Sequence, residues 1–231
     1  KAHYSVSRAL GILGMGTNAL QCPPCDEFGR IYSDQLESFI QEVQTSGKKI
    51  MAVIGIAGCT AAGLYDDLSQ IGDICNQNDI WFHIDGAHGA SAILSEQHKH
   101  RLIGIEKATS LIWDTHKMLR TPGLCAAVLF KDHNNADKAF SQQASYLFHE
   151  KDQVGFDSIT RTVECTKAGL GLKFFMGLAS EGESGLASYV TNCFNLASDV
   201  AVHIDKHSKF ELAIIPQANI VCFRFKGFHD Q

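Results

Sequence analysis

The sequence predicts an α/β fold in which helices flank a mostly parallel sheet. Two observations support this prediction. Short apolar runs with β-branched residues, typical of strands buried on both faces, recur along the 231-residue chain as far as residue 130. Helical patterns separate the first of these runs, and strand–helix–strand alternation at this spacing indicates βαβ units. We therefore expect a central sheet whose parallel strands end at one common edge.

Four apolar runs are predicted as the strands of this sheet. The first is a continuous run of apolar and β-branched residues, and the second is followed at once by Asp85-Gly86, which ends it. The third stops at an abrupt return to polar residues, which begins at Asp114. The predicted strands cover residues 50–57, 80–84, 110–113 and 126–130.

Helices are predicted between and after these strands. Ser33-Asp34 can cap the first of them, whose apolar residues fall on one face. Asp66 or Asp67 can cap the second, because a carboxylate accepts hydrogen bonds from free amides at a helix start. The predicted helices cover residues 33–46, 66–78, 93–102, 160–180 and 184–206, and the pattern over 93–102 is the weakest.

The pattern changes towards the end of the chain, where strand-like runs over residues 210–215 and 220–225 follow the last helices. This change predicts a large α/β domain over residues 1–190 and the start of a small C-terminal α+β domain over residues 191–231. The chain begins at Lys1 without a methionine and ends just after a strand-like run. We therefore expect a partial chain that lacks the N-terminal part of the large domain.

The charge pattern argues against two classes of partner. The formal net charge is −5, and charges of both signs are interspersed along the chain, so no basic face for nucleic acid or a membrane surface is predicted. No apolar run approaches the roughly 20 residues that span a bilayer. A small-molecule ligand therefore fits the sequence better than a polyanion or a lipid.

The eight cysteines lie mostly in apolar segments, which favours reduced thiols in a cytoplasmic protein over a disulfide scaffold. Cys22 and Cys25 form one Cys-x-x-Cys pair, a spacing that occurs in redox motifs and in zinc sites. Two prolines separate them, and no second pair follows at zinc-finger spacing. We therefore expect a loop at this position and no metal site.

Polar residues of types that can take part in catalysis or ligand binding follow three of the predicted strands. Thr60 lies in a loop after the first, Asp85 follows the second, and Lys117 follows the third. In an open parallel sheet, ligands bind outside the carboxyl ends of the strands. Alone, an Asp at such a place often caps a helix and a Lys often lies in solvent. Together, a lysine and a carboxylate can bind pyridoxal phosphate, the lysine through a Schiff base and the carboxylate through the pyridine nitrogen.

The segments "HIDGAHGA" (83–90) and "DTHKML" (114–119) resemble the group II pyridoxal-phosphate decarboxylases. That family includes the glutamate, cysteine-sulfinate, 2,4-diaminobutyrate and aromatic amino-acid decarboxylases. Further similar segments are "AHYSVSRAL", "GIAGCTAAGLYDDL", "ICNQNDIWFHIDGAHG" and "RTVECTK". The resemblance implies a pyridoxal-phosphate-dependent transferase fold of the aspartate aminotransferase type, fold type I, with residues 1–190 as its cofactor-binding domain.

The resemblance also implies roles for individual residues. Lys117 would hold pyridoxal phosphate covalently, and Asp85 would pair with the pyridine nitrogen. Ala87 would pack on one face of the cofactor ring and His3 would stack on the other, so that Lys117, His3 and Asp85 form the implied catalytic set. The remaining implied cofactor contacts are His116 and Asp114 near the phosphate, and Thr60.

The chain departs from the family pattern at several positions. Ile56 and Cys59 stand where relatives often carry threonines near the cofactor. His88 stands where relatives usually have a large aromatic residue, and either a polar substrate contact or a ring substitute is consistent with it. The stretch 149–160 corresponds to a mobile loop that often carries a proton-donating tyrosine, and it contains none. His149 is more simply a surface histidine, so no proton donor is assigned.

The implied function is decarboxylation of an L-amino acid to the amine and carbon dioxide, with an acidic or diamino substrate and a homodimeric assembly. A cysteine desulfurase or an aminotransferase of the same fold is an alternative. A desulfurase needs a nucleophilic cysteine on a flexible loop, whereas Cys165 and Cys193 lie in helical patterns. A truncated, non-catalytic homologue that acts through a partner chain is the third possibility.

Overall fold

The computed structural model of the protein describes residues 2–140, 161–164 and 166–227. The helices are α1 (Tyr4–Ile12), α2 (Ser33–Thr45), α3 (Leu68–Gln77), α4 (Thr115–Met118), α5 (Asn134–Phe140) and α6 (Leu170–Asp205). The strands are β1 (Ala52–Ile56), β2 (Trp81–Asp85), β3 (Ser110–Asp114), β4 (Ala126–Phe130), β5 (Phe210–Leu212) and β6 (Phe223–Phe225). Within these residues, no helix has the length and apolar character needed to cross a membrane.

The central sheet has the order β1-β2-β3-β4, with the first three strands parallel and β4 antiparallel to β3. This arrangement confirms the predicted mostly parallel sheet. In the register of the strands, Asp85 at the end of β2 lies between Ile56 of β1 and Ile112 of β3. The carboxyl ends of the three parallel strands therefore meet at one edge.

The two faces of β2 have different surroundings. Phe82 and Ile84 are fully buried and pack in the main core, whose members from α3 include Ile71 and Cys75. Burying a side chain of the size of Phe82 contributes roughly 1.5–3 kcal/mol to folding. The alternate residues of β2 point to the other face because side chains alternate along a strand. His83 and Asp85 lie on that face and are half-buried.

Helices α2 and α3 form where the sequence predicts them, whereas α1 was not predicted. Helix α3 starts after Asp67, whose side chain accepts a hydrogen bond from the Gln70 amide. The predicted helix over 93–102 is wrong, because 3-10 helices over Gly89–Leu94 and Lys99–Leu102 take its place. Side chains in this stretch bond to α6 instead, since His98 pairs with Asn195. Such tertiary contacts override a weak local preference.

Helix α6 combines most of the two predicted C-terminal helices. Gly182 has non-helical angles (φ 70°, ψ 168°) and breaks the helix between the two predicted segments. The helix starts at Leu170. The prediction of a helix from residue 160 is therefore wrong for the described residues before Leu170. Helix α6 runs across residue 190, where the predicted large domain ends. The division into two domains stays a prediction. Strands β5 and β6 pair antiparallel and confirm the last two predicted strands.

Candidate active site

A cavity of about 480 Å³ lies at the carboxyl ends of β1, β2 and β3, and residues of α1 also line it. The structure brings together at this cavity all the predicted site residues except His116: His3, Thr60, Asp85, Ala87, Asp114 and Lys117. A second cavity, of about 430 Å³, contains none of them and is lined by an internal pair of Asp26 and Arg30. The predicted site therefore coincides with the first cavity.

Lys117 reaches this cavity because α4 begins directly after β3. Thr115 and Met118 are buried, and they fix the single turn of α4 against the core. The Lys117 Nζ lies 2.9 Å from Oδ2 of Asp114, whose side chain is only 13% exposed. The pair holds the amine at the edge of the sheet, where a strand end rather than a flexible loop sets its position.

Asp85 is the last residue of β2, and only one of its two oxygens is hydrogen-bonded to the described residues. The amide of Ala87 donates to Oδ1 at 3.2 Å, whereas Oδ2 has no hydrogen-bond partner in the described part of the chain. A carboxylate accepts hydrogen bonds and favours a nearby positive charge. Asp85 Oδ2 therefore has the chemistry required to pair with a protonated ring nitrogen in this cavity.

Two glycines allow the backbones of the loops after β1 and β2 to cross each other at close contact distance. The Gly89 amide donates to the Ala57 carbonyl at 3.0 Å, and a Cβ on Gly89 would lie only 2.5 Å from that oxygen. Gly58 has φ +82°, and a Cβ there would lie 2.8 Å from the Gly89 Cα. The Tyr65 hydroxyl donates to the Gly89 carbonyl at 3.1 Å. Main-chain contacts thus lock the two loops that carry Thr60 and Ala87.

His116 faces the main chain of the segment before β4 rather than lining the cavity. Its Nδ1 lies 2.8 Å from the Cys125 carbonyl oxygen and 3.2 Å from the Cys125 amide nitrogen. Its Nε2 lies 4.0 Å from Asp114 Oδ2, on the side where Lys117 is placed. The predicted contact of His116 with a cofactor phosphate stays a prediction.

His3 lies immediately before α1 and caps it. Its Nδ1 accepts a hydrogen bond from the Ser5 amide at 3.3 Å and lies 2.8 Å from the Ser5 hydroxyl. The imidazole also packs at a tilt against Tyr4, with ring centroids 4.2 Å apart. The side chain reaches the cavity from outside the sheet, and its stacking on a cofactor ring stays a prediction.

The cavity lining also includes His83, which was not predicted as a site residue. Its Nδ1 lies 2.7 Å from the Ser110 hydroxyl oxygen. The same oxygen accepts a hydrogen bond from the Trp81 indole at 2.8 Å. Burial lowers the pKa of His83 from its ordinary value of 6.5, and Asp85 offsets part of this shift. The two-residue alternation of β2 places His83 on the same face as Asp85, and that signal was available in the sequence.

The departures from the family pattern also lie at the cavity. Ile56, Cys59 and His88 all line it. His88 makes a hydrogen bond that no local pattern predicts, because its Nε2 lies 2.7 Å from Oδ1 of Asn219, 131 positions along the chain. The predictions for the stretch 149–160 and for Cys165 fall outside the described residues. Within those residues, no group of three or more metal-ligating side chains is placed to hold a metal ion.

Comparison with known proteins identifies related sequences. The sequence profile described as the pyridoxal-dependent decarboxylase conserved domain matches residues 1–226. The cysteine sulfinic acid decarboxylase of Mus musculus is 34% identical over 228 residues, which are 97% of this chain and 46% of that protein. The acidic amino acid decarboxylase GADL1 of Mus musculus is 32% identical over 226 residues, which are 96% of this chain and 41% of that protein. The chain thus spans about half the length, or somewhat less, of these relatives.

Solved structures share the fold. The crystal structure of mouse CSAD matches with a TM-score of 0.89 and 32% identity over 97% of this chain and 47% of its own. The glutamate decarboxylase domain of a Vibrio parahaemolyticus diaminobutyrate-pyruvate transaminase and L-2,4-diaminobutyrate decarboxylase matches with a TM-score of 0.83 and 28% identity, covering 100% of this chain and 44% of that one. These matches confirm the predicted fold type, and the profile match confirms the resemblance. The chain belongs to the pyridoxal-dependent decarboxylase family.

Proposed function

We propose that the protein uses pyridoxal phosphate to decarboxylate an L-amino acid with an acidic or diamino side chain. The observation that carries this proposal is the meeting of Lys117, Asp85 and His3 at one cavity. They come from three separate segments: Lys117 supplies the amine and Asp85 the carboxylate that this cofactor uses, and His3 supplies the stacking ring that the resemblance implies.

The donor set of the cavity fits the cofactor. Lys117 Nζ would hold it covalently, and Oδ2 of Asp85 would pair with the ring nitrogen. Ala87 and His3 would lie against the ring, and Thr60 and His116 would lie near the rest of the molecule. When bound, pyridoxal phosphate accepts the electron pair of the bond that breaks at the substrate Cα.

The residues of this chain would contribute orientation and electrostatics. Asp85 favours a proton on the ring nitrogen because its carboxylate is fixed at a strand end and its Oδ2 is bonded to none of the described residues. Asp114 positions Lys117 through their 2.9 Å ion pair. The apolar side chains Ile54, Ile56 and Ile112 line the same cavity and limit its contact with water.

The names of the relatives support the substrate class. Cysteine sulfinate and acidic amino acids carry an anionic side chain, and 2,4-diaminobutyrate carries a second amine. An amino acid with a charged side chain is therefore the substrate we propose.

We also propose that the protein acts as a homodimer in the cytoplasm. The dimer follows from the resemblance, since sites of this family form at a dimer interface. Free thiols support the compartment, because seven cysteines in the described part of the chain form no disulfide with one another. Sedimentation at several protein concentrations tests the dimer, and a species of twice the chain mass is expected.

The experiment that tests the function is a carbon dioxide release assay. The purified protein with added pyridoxal phosphate is given carboxyl-labelled cysteine sulfinate, aspartate, glutamate, 2,4-diaminobutyrate and tryptophan. We expect release from a charged substrate, loss of release in Lys117→Ala, and no change in the control Lys99→Ala, whose amine pairs with surface Glu96. Release of alanine and sulfite from cysteine sulfinate, or of an oxo acid, in place of carbon dioxide would contradict the proposal and favour a desulfurase or an aminotransferase.

A further inference from the structure

His88 is a cavity residue that the proposed chemistry does not use. It lies three positions after Asp85 and lines the same cavity, with its side chain half-buried. Its Nε2 makes one hydrogen bond, to the Asn219 side chain at 2.7 Å. In the described part of the chain, the other ring nitrogen, Nδ1, has no hydrogen-bond partner.

The hydrogen bond to Asn219 determines which ring nitrogen of His88 carries a donated proton and which one is left for a ligand. The Asn219 atom in the contact is the amide oxygen, which only accepts, so His88 donates its Nε2 proton. Nδ1 is then left to meet a ligand. An anion bound beside the ring favours the protonated imidazole, which donates from both nitrogens at once, and such charge-assisted bonds are about twice as strong as neutral ones.

Asn219 is itself held firmly. The preceding Ala218 is only 1% exposed, and a Cβ on Gly63 would lie 2.9 Å from the Ala218 Cβ. The Gln217 side chain accepts a hydrogen bond from the Tyr65 amide at 3.0 Å. The segment that carries Asn219 is therefore docked on the loop after β1, and His88 is braced between two ordered parts of the fold.

The other basic groups of the described lining are already engaged. Lys117 is paired with Asp114 and is the proposed point of covalent attachment. The His3 ring is the proposed stacking partner of the cofactor, and its Nδ1 caps α1. Burial lowers the pKa of His83, which favours its uncharged form, and its Nδ1 is bound to Ser110. His88 is the basic side chain in this lining that remains for an anionic group.

We propose that His88, positioned by Asn219, determines substrate choice by binding the acidic side-chain group, a carboxylate or a sulfinate. This inference rests on the proposed function and deepens it, because it selects the acidic over the diamino class. A diamino substrate would bring a cation beside the imidazole, which disfavours the protonated ring that donates from both nitrogens. His88 would contact the substrate, and Asn219 would act through His88 as a positioning residue.

The first test measures binding without turnover. Glutarate, an unreactive dicarboxylate, is titrated calorimetrically into the cofactor-loaded protein and its variants. We expect His88→Phe to weaken glutarate binding about 10-fold or more, as loss of a charge-assisted bond requires. His98→Phe is the matched control, because His98 makes the same kind of bond to Asn195 at 3.0 Å outside the cavity. Unchanged glutarate binding in His88→Phe would overturn the inference.

The second test measures selectivity and separates the two residues. The ratio of kcat/KM for acidic over diamino substrate should fall at least 10-fold in His88→Phe, mainly through KM. Asn219→Leu, which removes the acceptor at similar size, should lower the same ratio, and Asn219→Asp, which keeps an acceptor oxygen, should preserve it. A fall in kcat for all substrates alike, with an unchanged ratio, would assign His88 a structural role and overturn the inference.

The two proposals can fail separately. If carbon dioxide is released from acidic substrates while His88→Phe keeps both full selectivity and full glutarate affinity, the function stands and the role of His88 is wrong. If no amino acid releases carbon dioxide but glutarate binding still depends on His88, the anion site stands and the proposed reaction is wrong.

Discussion

The two sides of the candidate active site are built differently. On the sheet side, Asp85 ends a central strand, and Gly89 is in contact with the backbone of the neighbouring loop. The buried carboxylate of Asp66 braces the same edge by accepting from the Ile56 amide at 2.8 Å. On the helix side, α1 has no buried residue, and Ile12 is 79% exposed. The sheet side is therefore fixed by long-range contacts, and the helix side mainly by contacts within α1.

The proposed interactions differ in how accurately they need their side chains positioned, and this difference matches the two sides of the site. A covalent attachment and a carboxylate–nitrogen contact require positions accurate to about 0.5 Å, and both residues that would make them lie on the sheet side. Ring stacking accepts centroid separations over a range of about 4.5–7 Å, and the residue that would stack, His3, lies on the helix side. Precision at this site is thus expected to depend on the crossing of the loops after β1 and β2.

The largest expected effect comes from breaking that crossing. Gly89→Ala places a Cβ 2.5 Å from the Ala57 carbonyl oxygen, so the loops must separate. We expect the free energy of unfolding to fall by about 2–4 kcal/mol, with loss of cofactor attachment. Urea unfolding and the absorbance of bound cofactor measure these effects.

The matched control for this substitution is Gly177→Ala in α6. A Cβ there meets no atom within 4 Å, and alanine is the better helix former. The control should leave cofactor attachment unchanged. Equal losses in the two variants would show that the contact between the loops has no special importance.

The next effect concerns acid stability on the sheet side. Burial lowers the pKa of His83 in the folded protein, so below the ordinary value of 6.5 the unfolded chain binds the proton more readily. Stability is therefore present above about pH 6.5 and is lost as the pH falls through the folded-state value. The contribution of His83 to this slope is at most about 1.4 kcal/mol per pH unit.

Thermal unfolding between pH 7 and 5 should show a shallower pH dependence in His83→Gln than in the unaltered protein. His203→Gln is the control, since His203 is exposed near the end of α6. A His83→Gln profile parallel to that of the unaltered protein would mean that this imidazole takes up its proton equally in both states.

A smaller effect is expected from the helix side. His3→Ala removes the proposed stacking ring, which is worth about 0.5–1.5 kcal/mol, so the apparent affinity for pyridoxal phosphate should fall about 2- to 12-fold. Saturating cofactor should still attach fully, because Lys117 and Asp85 are unaffected. Cofactor titration followed by absorbance makes the measurement. Loss of attachment at saturation would contradict the view that the helix side tolerates change.

The smallest effect is expected at the ion pair beside the attachment point. Asp114→Asn removes the 2.9 Å contact with Lys117, whose side chain is 36% exposed. A pair this exposed is worth about 0.2–1 kcal/mol, so attachment should quicken by no more than about fivefold as the amine is released from the carboxylate. Stopped-flow absorbance measures the rate. A loss of more than tenfold would indicate that Asp114 holds the cofactor itself.

The sequence predicted the sheet edge well because strand ends are local features. Asp85 and Lys117 each follow an apolar run, and the parallel order of the strands brings them together. The bond between His88 and Asn219 was not predictable, since it joins positions 131 apart and depends on how the C-terminal segment docks. The helix predicted over 93–102 failed for a related reason, because contacts with α6 outweighed a weak local pattern.

The most direct test of the central claim is to locate the attached cofactor. The protein is incubated with pyridoxal phosphate, reduced with borohydride, digested and analysed by mass spectrometry, with Lys117→Ala and the surface control Lys99→Ala in parallel. We predict one modified peptide, containing Lys117, in the unaltered protein and in the control, and none in Lys117→Ala. A label on other lysines, or one that persists in Lys117→Ala, would contradict the assignment of this cavity as the cofactor site.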